Sequence, residues 1–199
     1  MTTTTPPMTL ADTLPAVRWR NAALVLGGAL LTAAAAQISI PLGFTPVPVT
    51  GQTLAVLLVG ATLGVRRAVA SQVLYWVLGA VGFPFYSAGE GGWEAATGST
   101  FGYFVGFVLA AALVGHLAER GQDRSFVTSA TAMLAGTVVI YLCGVSWLAY
   151  SLGVPFYSGS GEDAFTYGLA PFIVGDLIKL AVAAALTPMA WAWLRRSDG

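Results

Sequence analysis

PFIVGDLIKL, residues 171–180, opens one of the most apolar segments of the chain, yet it carries Asp176 and, three residues on, Lys179. Lys179 is the only lysine, and every other cation is an arginine. Residues three apart share a helix face, so on a helix both side chains point the same way. A charged side chain at bilayer depth costs roughly 2.5–3.5 kcal/mol on insertion scales, and it usually faces the bundle and marks function. What this pair means therefore depends on whether the stretch lies in a membrane.

Composition places it there. The 199 residues are 56% hydrophobic and only 9% charged, with a mean hydropathy of +0.75. A soluble domain is closer to about a quarter charged. The chain reads as an all-α integral membrane protein folded as one bundle. Its formal net charge is zero and its nine cations are scattered, so no patch exists to neutralise phosphates and nucleic acid is excluded as a partner. Cys143 is the only cysteine, which rules out a disulfide within the chain and suggests a buried, inert thiol. With His116 as the only histidine, we expect neither a metal site nor another cofactor.

Apolar runs predict six spans, near Asn21–Ile40, Gly51–Val65, Ala68–Phe83, Phe101–Leu117, Phe126–Leu152 and Ala170–Leu194. The second and third are short for a bilayer, which wants about 20 residues. With six spans every arginine falls on one side: Arg18 and Arg20, Arg66 and Arg67, Arg120 and Arg124, Arg195 and Arg196. The opposite connections carry Glu90, Glu94, Glu162 and Asp163 and no cation. This is the positive-inside pattern, so both termini are expected in the cytoplasm of a multi-pass protein of the cell membrane. Residues 1–17 are expected to form a disordered cytoplasmic tail and 18–196 the transmembrane domain, with Arg66–Arg67 as a tight turn.

The outer connections are long and rich in aromatics, Gly, Ser and Thr: PLGFTPVPVTGQT, PFYSAGEGGWEAATGST and VPFYSGSGEDAFTYG. Long ordered loops tend to carry function. Alternating prolines make Phe44–Val49 stiff and extended, which suits a lid. Aromatics also form interfacial belts. A belt alone does not explain the GEGG spacing or the PVPV rod.

At 1.5 Å per residue Asp176 lies roughly 8 Å and Lys179 roughly 13 Å below the start of the last span, in its outer half. The pair can be read as a self-neutralising ion pair that glues the bundle, or as a ligand site open to the outside. A carboxylate takes N–H groups, and an ammonium gives to a carbonyl or carboxylate. The matching ligand is small, partly apolar, and carries adjacent N–H and C=O groups or an anionic end. No GxxxxGK[ST] phosphate loop is present, and no second carboxylate, His or Cys lies in a span near Asp176, so enzymatic chemistry is not expected. In the first span Ala29 and Ala33 form a small-xxx-small pair, open to two readings: packing within the bundle, or docking to another membrane protein.

ISIPLGFTPVPVTGQTLAVLLVGATLG (38–64), LGAVGFPFYSAGEGG (78–92), FGYFVGFVLAAALVG (101–115) and PFIVGDLIKL (171–180) together resemble the BioY family, the biotin-specific substrate-binding components of energy-coupling factor (ECF) transporters. The resemblance implies a six-helix bundle that captures biotin from outside. It implies delivery through a transmembrane coupling protein and two ATPase subunits. It places Asp176 and Lys179 near the ligand, closes the loop around Phe44, Thr45 and Gln52 over the site, and lines it around Tyr86, Ser87, Gly92 and Trp93. Ala29 and Ala33 are implied to touch the coupling protein. A ureido ring has one carbonyl and two N–H groups, complementary to a carboxylate beside an ammonium. Phe85, Tyr86, Trp93 and Tyr103 are candidates for an apolar wall. Some relatives place a basic residue before the fourth span to meet the biotin carboxylate. Here that loop has only Glu90 and Glu94, so the carboxylate must meet Ser99, Thr100, the start of the fourth span or water, or else Lys179 with the ligand inverted. Two competing functions are a self-sufficient proton-coupled carrier using Asp176, and a purely structural membrane subunit.

Overall fold

The computed structural model describes residues 9–14, 18–159 and 161–197. Its long helices are α1 (Arg20–Gln37), α2 (Gln52–Leu63), α3 (Val65–Ala80), α5 (Phe101–Glu119), α6 (Phe126–Leu152) and α8 (Ile173–Ser197). Two short helices, α4 (Trp93–Thr97) and α7 (Ala164–Gly168), sit in the connections. Phe101–Glu119, Phe126–Leu152 and Ala164–Arg196 are long and apolar enough to cross a membrane, and Gln52–Leu63 is apolar but shorter.

Local chemistry fixes several ends. Ser125 caps α6 by accepting from the Thr128 amide, and Gly153 closes it in the left-handed conformation that suits glycine. Between α2 and α3 the break is Gly64, at φ +76°. Arg66 and Arg67 therefore lie in the first turn of α3 and do not form the turn themselves, which corrects the sequence reading. The loop between α1 and α2 returns on itself through two short antiparallel strands, β1 (Ser39–Ile40) and β2 (Val49–Thr50), paired Ser39 to Thr50 and Ile40 to Val49. Stiff, proline-flanked backbone favours extended pairing over helix, so the fold is not helical throughout.

α5 and α6 pack along their lengths, α2 lies against α5, α1 and α8, and α3 is held between α1 and α5. Ala29, Ala33 and Ala36 are buried in the core. On the same face Thr32 accepts from the Gln72 amide at 3.2 Å, which ties α1 to α3.

The expected disordered tail is ordered where the structure describes it. Thr9 and Asp12 form a capping box on a 3-10 turn, Leu10–Thr13. Arg67 clamps Asp12 at 2.6 Å. Burial raises the Asp12 carboxyl pKa, but Arg67 and Thr9 outweigh it and the net shift is downward. Residues 1–8 and 15–17 lie outside the described residues.

The arginines gather at one end of the bundle. Arg67 reaches Asn21 at 3.1 Å, and Arg124 lies over the Trp191 ring at 4.8 Å. At the other end Gln37 donates to the Tyr86 carbonyl at 3.1 Å, and Trp147 donates to the Gly98 carbonyl at 2.9 Å.

Candidate ligand-binding site

Asp176 falls in the first turn of α8. A carboxylate there is favoured by the unpaired N–H groups of the helix start. Lys179 follows one turn on and meets Asp176 Oδ1 at 2.7 Å. Asp176 is only 5% exposed, whereas the Lys179 side chain is 19% exposed, so the carboxylate is buried and the ammonium half-buried beside it. Removing one partner of such a pair strands a buried charge, whereas replacing both with apolar groups does not.

Three helices converge on the pair. From α2, Thr53 donates to Asp176 Oδ1 at 3.1 Å. From α6, the Tyr141 hydroxyl donates to Asp176 Oδ2 at 2.6 Å. Lys179 also donates to the Thr50 carbonyl at 2.6 Å, and reaches Thr53 only at 3.5 Å. A carboxylate has about four acceptor positions and an ammonium three donors. Asp176 keeps one acceptor position on Oδ2, and Lys179 keeps one weakly engaged donor. Together they offer an incoming group one acceptor and one donor side by side.

Above the pair is a cavity of about 670 Å³, open solvent at its mouth included. Its aromatic wall is Tyr86, Tyr103, Phe104, Phe107, Tyr141 and Phe172. The rings brace one another: Tyr86 and Phe104 lie 4.8 Å apart, and Tyr103 meets Tyr141 edge-on at 6.2 Å. Their hydroxyls are satisfied elsewhere, Tyr86 on the Trp76 carbonyl at 2.6 Å and Tyr103 on the Gly168 carbonyl at 2.7 Å. Burial pushes the Tyr86 phenol up to about 12, which keeps it a donor. An aromatic wall of this kind suits an apolar ring and chain.

The rim is a tight turn. The Tyr86 amide donates to the Glu90 carbonyl at 3.0 Å, and the Glu90 amide to the Ser87 carbonyl at 3.2 Å. Gly89 at φ +75° and Gly92 at φ +96° take conformations disfavoured for other residues, which accounts for the GEGG spacing. Ala88 shares the left-handed region at φ 57° without being glycine, a small strain stored beside the site.

Of the residues singled out in the sequence, the structure brings Asp176, Lys179, Tyr86, Ser87, Gln52, Tyr103 and Thr100 to the cavity. Gln52 is held there by donating to the Tyr75 hydroxyl at 2.8 Å. Phe44, Thr45, Phe85, Gly92, Trp93 and Ser99 are not in its lining. Phe44 and Trp93 are mostly exposed, and Trp93 packs on Trp76 at 6.2 Å. Thr45 donates to the Tyr167 carbonyl at 2.8 Å and so ties the loop between α1 and α2 to α7. Ala29 and Ala33 are buried at 0% and 6% exposure, so in this structure they serve packing and present no docking surface. The small residues α1 leaves exposed are Ala22, Ala23, Gly27 and Ala34. Sequence reading did not single out Thr50, Thr53, Phe104, Phe107, Tyr141 or Phe172 as lining residues.

The BioY family model matches residues 6–196. The biotin transporter BioY of Rhizobium etli is 38% identical over 168 residues, 81% of this chain and 87% of that protein. The biotin transporter BioY of Rhodobacter capsulatus is 37% identical over 169 residues, 82% of this chain and 88% of that protein. The probable biotin transporter BioY of Pyrococcus horikoshii is 39% identical over 153 residues, 77% and 85% of the two chains. The crystal structure of the S-component for biotin from an ECF-type ABC transporter superposes with a TM-score of 0.74 over 92% of this chain and 95% of that chain, at 22% identity, which establishes a shared fold. The helices, the cavity and these matches agree: the chain is an integral membrane protein that belongs to the BioY family.

Proposed function

We propose that this chain captures biotin and serves its uptake as the substrate-binding component of an ECF-type transporter. The observation that carries this reading is the spare acceptor of Asp176 beside the spare donor of Lys179, at the floor of an aromatic cavity in a BioY-family chain. One ureido N–H meets Asp176 and the ureido carbonyl meets Lys179, while the sulfur ring and valeryl chain lie along Tyr86, Phe104 and Phe107.

In this reading the chain crosses the cell membrane six times, 18–196 forms one transmembrane domain, and both termini are cytoplasmic. The gathering of arginines at one end of the bundle supports that orientation. The cavity then opens outward. A coupling protein and two ATPase subunits supply the energy, since the chain itself carries no phosphate loop. A self-sufficient proton-coupled carrier gains no support, because Asp176 is tied to Lys179, Thr53 and Tyr141.

Equilibrium binding of labelled biotin to the purified chain in detergent tests the proposal. The parent is expected to bind, and Lys179→Ala to weaken binding roughly tenfold or more, the effect of losing a hydrogen bond to a charged group. Absence of binding by the parent rejects it.

A further inference from the structure

We infer, resting on the reading that this cavity holds biotin, that the site accepts biotin whose tail carboxyl has become an amide, and favours amides bearing an amine. Charge carries the argument. The charged residues of the cavity lining are Glu90, Asp176 and Lys179. Asp176 and Lys179 meet at 2.7 Å and cancel, so Glu90 leaves the lining with one negative charge. The outer segments 38–50, 81–100 and 153–169 contain neither Arg nor Lys, so no cation answers Glu90 or a carboxylate beside it.

Position makes this charge matter. Asp176 is buried at the floor, whereas Glu90 is exposed on the turn that forms the rim. That turn is fixed by the hydrogen bonds between Tyr86 and Glu90 and between Glu90 and Ser87. A ligand with its ureido ring on the buried pair runs its tail toward Glu90. A free carboxylate there meets a like charge, and an amine meets an opposite one. The inverted pose fares no better, since a carboxylate on Lys179 lies against Asp176 Oδ1, which shares the same ammonium. The start of α5 at Thr100, also in the lining, offers N–H groups, but an amide carbonyl accepts from them as a carboxylate does.

Calorimetric titration of the detergent-purified chain with three probes tests this: biotin, biotinamide and the mono-amide of biotin with ethylenediamine. The probes share ring and chain and are anionic, neutral and cationic at pH 7. Affinity is expected to rise along the series, the cationic amide binding roughly threefold to tenfold tighter than biotin. High salt is expected to narrow that gap. Glu90→Gln is expected to draw the three affinities together by strengthening biotin relative to the cationic amide. Biotin binding tenfold or more tighter than biotinamide overturns the inference, as does an ordering unmoved by both salt and Glu90→Gln. If no probe binds, the biotin reading itself fails and the inference falls with it.

Discussion

At the scale of residues, the two oxygens of Asp176 face different helices. Oδ1 is shared by Lys179 and Thr53, and Oδ2 is held by Tyr141. A neutral hydroxyl that orients a carboxylate contributes about 1.5–3 kcal/mol, the range for hydrogen bonds to charged groups. We predict that Tyr141→Phe keeps the ring in the wall and weakens biotin binding roughly tenfold, read by titration calorimetry. Unchanged affinity would mean that Tyr141 only packs. The charged pair was legible in the sequence because charge in an apolar run is rare. Tyr141 and Thr53 were not, because a hydroxyl in a span is ordinary and only the packing of α6 and α2 against α8 gives these two their role.

At the scale of elements, α5 and α6 pack closely enough that glycine is required. A side-chain carbon at Gly144 would enter the Tyr103 ring. Gly144→Ala is predicted to cost about 1–3 kcal/mol of stability, as overpacking does. It should also tilt Tyr103 out of the cavity wall, so the thermal midpoint and biotin affinity are predicted to fall together. The connection between α6 and α7 has a pH-dependent cap. Asp163 caps α7 by accepting from the Ser158 and Thr166 amides, which holds its carboxyl down at about 2. Its folded pKa lies below the ordinary value of about 3.9, so the stabilisation is complete above that value and is lost as pH falls toward about 2. Thermal unfolding of the parent beside Asp163→Asn is predicted to show an advantage for the parent above about pH 4 that disappears through this window. A constant difference at all pH values would place the effect elsewhere.

Element boundaries were legible where capping chemistry was local. α6 runs from Phe126 to Leu152, as its apolar run predicts, because Ser125 and Gly153 close it. The break at Gly64 was hidden by the arginine pair beside it, since arginines fit a first helical turn as well as a loop. The ordered turn at Leu10–Thr13 depends on Arg67, more than fifty residues away, and no local pattern announces such a clamp.

At the scale of the molecule, the bundle supplies depth at one end and charge at the other. Hydropathy and arginine placement carried most of the helix order. They did not carry which face of α1 turns inward, and Ala29 and Ala33 went to the core because Thr32, beside them, bonds Gln72 of α3. The central claim is that the buried pair exists for a ligand and not for the fold. A buried ion pair replaced by apolar residues of similar size leaves stability equal or higher. Labelled biotin should therefore be titrated into the parent and into Asp176→Leu/Lys179→Met, with thermal midpoints recorded for both. The account predicts that the double variant melts no lower than the parent and binds no biotin. A double variant that still binds biotin with the parent's affinity would contradict it.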